Sequence, residues 1–191
     1  METRKAQLRK LFLEKRKALG ESEFRLINTA ILEQFKQIDL AGVNVLHLFL
    51  SIVEKHEIDT SLMVDYLHKK YPHIKIAVPQ SNFSSLTLTH FLIDDDLVIE
   101  KNNWNIPEPV SGNKISPERI DMILVPLLAI DKKGFRVGYG KGFYDRFLIE
   151  CRSDIKTIGL SQFEPIERIN DTDEYDFPLN ACITPSGIIY F

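Results

Sequence analysis

Apolar and polar positions alternate along this chain with two periods, and the switches between them outline its elements. Over residues 4–19, Leu8, Leu11, Phe12 and Leu19 fall on one side of a helix, with Gly20 as a stop. The other side carries Lys5, Arg9, Lys10, Lys15, Arg16 and Lys17, a pattern that reads as a solvated face. A second helix follows, with Ser22 as its N-cap and Ile27, Ala30, Ile31, Gln34, Phe35 and Ile38 in helical register. Residues 43–50 form an apolar run that predicts a buried strand. Thr60 then caps a helix through Leu62, Met63, Tyr66 and Leu67, closed at Pro72. Residues 74–78 predict a strand stopped by Pro79. Strand–helix–strand order of this kind implies a parallel sheet, because parallel neighbours need crossover connections. Residues 86–91 alternate strictly, as a half-exposed strand does.

The longest clean apolar run, residues 122–130, predicts a buried strand, and 143–151 a helix in which Phe143 and Phe147, and Tyr144 and Leu148, recur four apart. A strand at Lys156–Leu160 precedes an acidic, irregular stretch at 164–180. Residues 182–184 and 188–191 read as edge strand around a Ser186-Gly187 turn. No repeat, low-complexity tract or linker interrupts the order, so residues 1–191 are expected to form one domain.

Composition narrows the function classes. Hydrophobic content of 44% with 27% charged residues is that of a globular protein with a sizeable core. A net charge of −3 leaves no overall basic footprint for nucleic acid. The apolar run at 122–130 falls far short of the ~20 residues that span a bilayer. The start, Met-Glu-Thr-Arg-Lys, lacks a signal-peptide core. Cys151 and Cys182 suit neither a zinc knuckle nor a disulfide framework, so a cytoplasmic setting is expected. The five histidines show no metal-ligand spacing, and His47, inside an apolar strand, reads as a satisfied core residue. No Ser or Cys sits in a nucleophile-elbow context.

The chemistry concentrates in residues 134–146. Strand, glycine-rich loop and helix follow one another there, an order that aims backbone N–H groups and the positive end of a helix dipole at one point where a phosphate can sit. Gly138, Gly140 and Gly142 allow sharp turns and close approach of an anion. Arg136 and Lys141 add mobile positive charge, and Asp145 lies one turn into the helix, within reach of a metal on the phosphates. The loop is not a Walker A motif, since Gly142 follows Lys141, and not a dinucleotide fingerprint, since Phe143 stands where a third glycine belongs. A bland reading, a glycine turn whose charges face water, stays beside the phosphate one. The single Trp, Trp104, lies between Asn102 and two prolines, as a lid over the core or as a ligand platform.

Read as a longer string, Asp131-Lys-Lys-Gly-Phe-Arg136-Val-Gly-Tyr-Gly-Lys-Gly-Phe-Tyr-Asp145-Arg-Phe-Leu resembles the signature of the 5-formyltetrahydrofolate cyclo-ligase family. Lys5-Ala-Gln-Leu-Arg9, Glu57-Ile-Asp-Thr60, Trp104-Asn-Ile-Pro107 and the Asp176-Phe-Pro-Leu pattern agree in order, so the resemblance covers about residues 5 to 184. It implies a three-layer α/β/α sandwich around a mostly parallel sheet. It also implies an enzyme that converts 5-formyltetrahydrofolate and ATP, with Mg2+, to 5,10-methenyltetrahydrofolate, ADP and phosphate, with a monomer favoured.

By the same resemblance Lys5, Arg9, Arg136, Gly138, Tyr139, Gly140, Lys141, Gly142, Phe143 and Tyr144 are candidates for ATP. Lys141 and Arg136 act on the transferred group. Leu50, Glu57, Trp104 and Phe143 fall on folate-contacting positions, and Asp145 and Asp176 match the magnesium carboxylates. The chain departs from the family's pattern where Phe143 replaces a common Tyr, Tyr175 a common His and Asn180 a common Asp; Tyr139 lies at a position that varies. Two other readings remain: a phosphate-ester enzyme such as a sugar-phosphate isomerase on a similar scaffold, and a non-catalytic module that binds nucleotide or folate.

Overall fold

A computed structural model describes residues 4–102 and 106–191. The class is mixed α/β with a large, mostly parallel sheet and helices, as the periodicity implies. Helices α1 (Lys5–Lys17) and α2 (Glu21–Phe35) precede strand β1 (Val45–His47) and helix α3 (Ser61–Lys70). Strands β2 (Lys75–Asn82), β3 (Thr87–Leu92), β4 (Val98–Lys101), β5 (Pro107–Ser111), β6 (Lys114–Ile115) and β7 (Met122–Pro126) follow. Then come β8 (Ala129–Ile130), β9 (Arg136–Val137), helix α4 (Phe143–Glu150), β10 (Lys156–Leu160), β11 (Ala181–Thr184) and β12 (Gly187–Tyr190). The chain divides into two compact units, one of residues 1–39, 125–142 and 157–191, the other of residues 40–124 and 143–156.

In the second unit the strands run β7-β1-β2-β3-β6. β1 is parallel to both neighbours, with His47 opposite Ala77 and Ile123, and α3 supplies the crossover to β2. β3 and β6 return antiparallel at the edge. Pro79 does not stop β2, which continues to Asn82 with Pro79 opposite His90. The pairing with β1 ends at Ala77, so on that side no ladder donor is missed. Thr60 stands at the start of α3, but its hydroxyl donates to the Phe49 carbonyl (2.6 Å) and makes no cap. Asp59 Oδ1 accepts the Ser61 N–H instead (3.1 Å).

In the first unit β10 and β11 are parallel and β12 pairs antiparallel with β11. Gly20 is extended (φ −74°, ψ 155°) and stands at the N-cap of α2, while α1 ends earlier with Ala18 as its C-cap, and Ser22 lies inside α2. The apolar run at 122–130 is two strands rather than one. Pro126 ends β7, and β8 turns back on β9 as a hairpin. Asp131 builds that hairpin's turn, its Oδ1 accepting the N–H groups of Lys133 (2.9 Å) and Phe135 (3.0 Å), while Oδ2 ties in the distant Ile169 N–H (2.9 Å). Gly134 has φ +83°, and a Cβ there would lie 2.7 Å from the Leu179 carbonyl oxygen, so the turn admits only glycine.

The second unit's core contains an unexpected polar pair. His47 Nε2 and His90 Nδ1 lie 3.1 Å apart, and Phe147 stacks on the His90 ring with centroids 4.1 Å apart. Both rings are buried, but His47 Nδ1 and His90 Nε2 have no hydrogen-bond partner among the described residues. His47 is thus a core residue as read, with one nitrogen satisfied. Burial pushes both histidines below their ordinary value of 6.5, His90 to about 4.

Because the folded pKa is depressed, stability is fully present above about pH 6.5 and is lost as the pH falls toward 4, the unfolded chain taking up protons first. We expect His90 alone to cost roughly 2 kcal/mol between pH 7 and pH 5. Urea unfolding at both pH values checks this: the wild-type loss should shrink markedly in the double variant His47→Leu/His90→Leu, and an equal loss in both would remove the pair as its source.

Candidate functional site: a basic helix stripe on a glycine loop

The candidate phosphate site of the first unit is built from α1 upward. Leu8 and Phe12 are buried against Leu128, Ala129, Val137 and Ile169, and the Phe12 ring meets Phe163 edge-on at 5.4 Å. Lys5, Arg9, Phe12 and Arg16 follow at steps of four, three and four, the spacing of one helix stripe. Docking the aromatic position therefore carries the three cations onto the same neighbourhood.

Arg9 Nε donates to the Gly138 carbonyl (2.9 Å), and its guanidinium lies against Gly140, where an added Cβ would sit 2.9 Å from Cζ. Lys5 Nζ donates to both carboxylate oxygens of Asp176, and the Lys5 backbone N–H donates to Asp171 Oδ1 (2.7 Å). The acidic 171–176 stretch is thereby tied to the start of α1.

Two sequence readings change here. Arg16 is not on a solvated face: it is 4% exposed, with Nε donating to Gln162 Oε1 (3.0 Å), Nη1 to the Tyr139 hydroxyl (3.1 Å) and Nη2 to the Leu127 carbonyl (2.7 Å). Arg136 is not a mobile charge, because it sits in β9, is buried, and donates from Nη1 to the Phe177 carbonyl (2.6 Å). The signal that would have found Arg16 is its place on the stripe of Phe12. Lys141 and Tyr139 are exposed, and α4 begins at Phe143, directly after Gly142. Among the three loop glycines only Gly140 (φ +88°) and Gly142 (φ +67°) adopt left-handed backbone; a Cβ on Gly138 would meet nothing within 4 Å.

The other candidates lie in the second unit. Leu50 is half-buried, and Glu57 is buried with Oε2 accepting the Ile52 N–H (2.8 Å). Phe143 meets Phe83 edge-on at 5.4 Å, and Asp145 is half-buried in the first turn of α4. Tyr144 stands edge-on to His47 at 6.4 Å. Trp104 lies outside the described residues. Sequence reasoning missed Glu108, a buried carboxylate that accepts the Ser81 N–H (3.0 Å) and the Asn102 amide (2.7 Å). Asn102 in turn accepts the Ile106 N–H (3.1 Å), so both ends of the 102–106 segment are fixed.

Neither cysteine offers a nucleophile, since burial pushes both thiols up to about 12. Among the described residues no group of three His, Cys, Asp or Glu converges on a metal position. No helix among them is long and apolar enough to cross a membrane.

Comparison with known proteins gives the family. The model of the 5-formyltetrahydrofolate cyclo-ligase family matches residues 1–185. The chain belongs to that family. The 5-formyltetrahydrofolate cyclo-ligase of Mycoplasma genitalium is 30% identical over 179 residues, covering 93% of this chain and 97% of the relative. That of Mus musculus is 27% identical, covering 71% and 70%. The structure of Aquifex aeolicus 5,10-methenyltetrahydrofolate synthetase superposes with a TM-score of 0.78 at 26% identity, covering 97% of this chain and 92% of that one. The family resemblance read over residues 5 to 184 and the ligase class it implies are thereby established, and the isomerase reading is set aside.

The contrast between the loop glycines is directly testable. Gly140→Ala should cost about 1 kcal/mol from the left-handed backbone alone and displace the Arg9 guanidinium from Gly138. Gly138→Ala should leave the unfolding free energy within about 0.5 kcal/mol. Thermal or urea unfolding of the two variants checks the order; equal losses would contradict it.

Proposed function

We propose that the protein closes 5-formyltetrahydrofolate to 5,10-methenyltetrahydrofolate in a reaction driven by ATP, releasing ADP and phosphate. The observation that carries this reading is the glycine loop, gripped at Gly138 by Arg9 from α1, with exposed Lys141 beside it. The family match over residues 1–185 supplies the substrate class.

An N-formyl group is an amide, and its oxygen leaves poorly. In the first step that oxygen attacks the γ-phosphorus of ATP, and the bond from that phosphorus to the ADP oxygen breaks. In the second step N10 adds to the activated formyl carbon, the five-membered ring closes, the C–O bond breaks to release phosphate, and the N10 proton passes to that phosphate or to water. The first step is phosphoryl transfer, which needs positioning and charge neutralisation more than a nucleophilic side chain.

In this reading the amides of residues 138–142 and the cations Lys5, Arg9 and Arg136 hold the triphosphate, with Tyr139, Phe143 and Tyr144 flanking it. Lys141 reaches the transferred group. Arg136, fixed in β9, acts as a placed charge with little to reorganise. Glu57 accepts from pterin ring nitrogens, Leu50 contributes apolar contact, and Phe143 and Trp104 stack on flat parts of the folate.

Asp145 and Asp176 would hold Mg2+, which neutralises phosphate oxygens when bound. Asp176 suits that role because its carboxylate already pairs with a cation, the Lys5 ammonium. Mg2+ is commonly held by one or two carboxylates with phosphate and water oxygens, so no larger cluster is required. Residues 1–191 act in this reading as one catalytic domain, monomeric and cytoplasmic.

Incubation with 5-formyltetrahydrofolate and Mg-ATP should yield methenyl product, followed by its absorbance, and ADP in equal amounts. Absence of product, or ADP without it, would overturn the proposal. Lys141→Ala should lower kcat at least 100-fold with unfolding unchanged within about 0.5 kcal/mol; a near-normal rate would remove Lys141 from the chemistry. Asp145→Asn should raise the Mg2+ concentration needed for half-maximal rate, and an unchanged titration would dismiss it as a ligand.

A further inference from the structure

We propose that Arg16 is a positioning residue for nucleotide binding: from within the core of the first unit it fixes the Tyr139 hydroxyl, and through it the glycine loop. The inference rests on the nucleotide reading above and adds a residue which that reading leaves out.

An arginine is almost never fully buried unless its donors are satisfied. Here the demand is met by three acceptors from three separate segments. Gln162 follows β10, Leu127 lies between β7 and β8, and Tyr139 belongs to the loop itself. The rigid fork of a guanidinium reads acceptors in fixed directions, which a flexible ammonium does not. The bonds to Gln162 and Leu127 are enough to anchor the head of Arg16 in the core. The bond to Tyr139 does something else, because Tyr139 is 38% exposed and stands between two glycines. Glycine neighbours give the backbone there little restraint of its own.

Two arginines on α1 supply it. Arg9 holds the Gly138 carbonyl, and Arg16, two helical turns further on, holds the side chain of the next residue. One tip of the Tyr139 ring is thus pinned by a buried cation while much of the residue remains open to solvent. A loop ordered in advance in this way loses less freedom when it closes on phosphate. Removing the pin should therefore weaken nucleotide binding more than it slows the bond-making steps.

The test measures the Kd of a Mg-bound, non-hydrolysable ATP analogue by calorimetry, and KM and kcat for cyclisation. It compares wild type, Tyr139→Phe, Arg16→Met and the double variant, each checked for folding by circular dichroism. Tyr139→Phe deletes one hydroxyl at an exposed residue and keeps the test decisive if Arg16→Met unfolds. We expect Tyr139→Phe to raise Kd and the KM for ATP about three- to tenfold, with kcat changing less.

Where Arg16→Met folds, the double variant should bind no more weakly than Arg16→Met, since both changes remove one interaction. An unchanged Kd in Tyr139→Phe, or multiplying effects in the double variant, would overturn the inference while leaving the ATP reading intact. A wild-type protein that fails to bind the analogue would overturn both.

Discussion

The first unit depends on the docking of one side of α1 against the β8–β9 hairpin. Phe12 and Leu8 are the anchors, each buried side chain contributing about 1.5–3 kcal/mol. Polar contacts along the same helix are individually smaller, on the order of 1 kcal/mol net for an ordinary hydrogen bond and more for a charged one. Apolar burial therefore decides that the helix docks, and the arginines decide in which register. With the register set, Arg9 meets Gly138, Arg16 meets Tyr139, and Lys5 meets Asp176. The glycine loop is consequently held from outside itself, which it requires, because its own residues are poorly restrained.

That arrangement explains what could be read from the chain and what could not. Helical periodicity gave α1, α2, α3 and α4, because each buries one face and the pattern records it. Lys156–Leu160 came out with its observed bounds because a short apolar run flanked by polar residues has few alternatives. The run at 122–130 reads as one strand because hydrophobicity alone does not register Pro126 or the turn that Asp131 builds through two backbone N–H groups. Pro79 acts in the opposite sense: a proline there reads as a stop, yet it lies in β2 beyond the end of the pairing with β1. The loop's own chemistry, three alternate glycines between cations, was plain in the sequence. Arg16 is hidden from a reading that equates charge with exposure, although its spacing from Phe12 places it on the buried stripe.

Candidate residues come from both units. Lys5, Arg9, Arg136, residues 138–142 and Asp176 belong to the first, a set dominated by cations and backbone amides suited to phosphate. Leu50, Glu57, Phe143, Tyr144 and Asp145 belong to the second, so the candidates for nucleotide and metal are not confined to one unit. The same unit keeps His47 and His90 neutral in its core, and it carries Glu108, whose oxygens accept the Ser81 N–H and the Asn102 amide. The burial of His47 is legible in its apolar strand, but its pairing with His90 and the bonds of Glu108 are not, since each depends on a partner distant in the chain.

Hydrogen–deuterium exchange with and without a Mg-bound, non-hydrolysable ATP analogue tests the central claim most directly. Backbone amides of residues 138–142 should exchange more slowly on binding, and peptides from α1 that carry Arg9 should be protected with them. Protection confined to other segments, with the amides of 138–142 exchanging as in the free protein, would contradict the account.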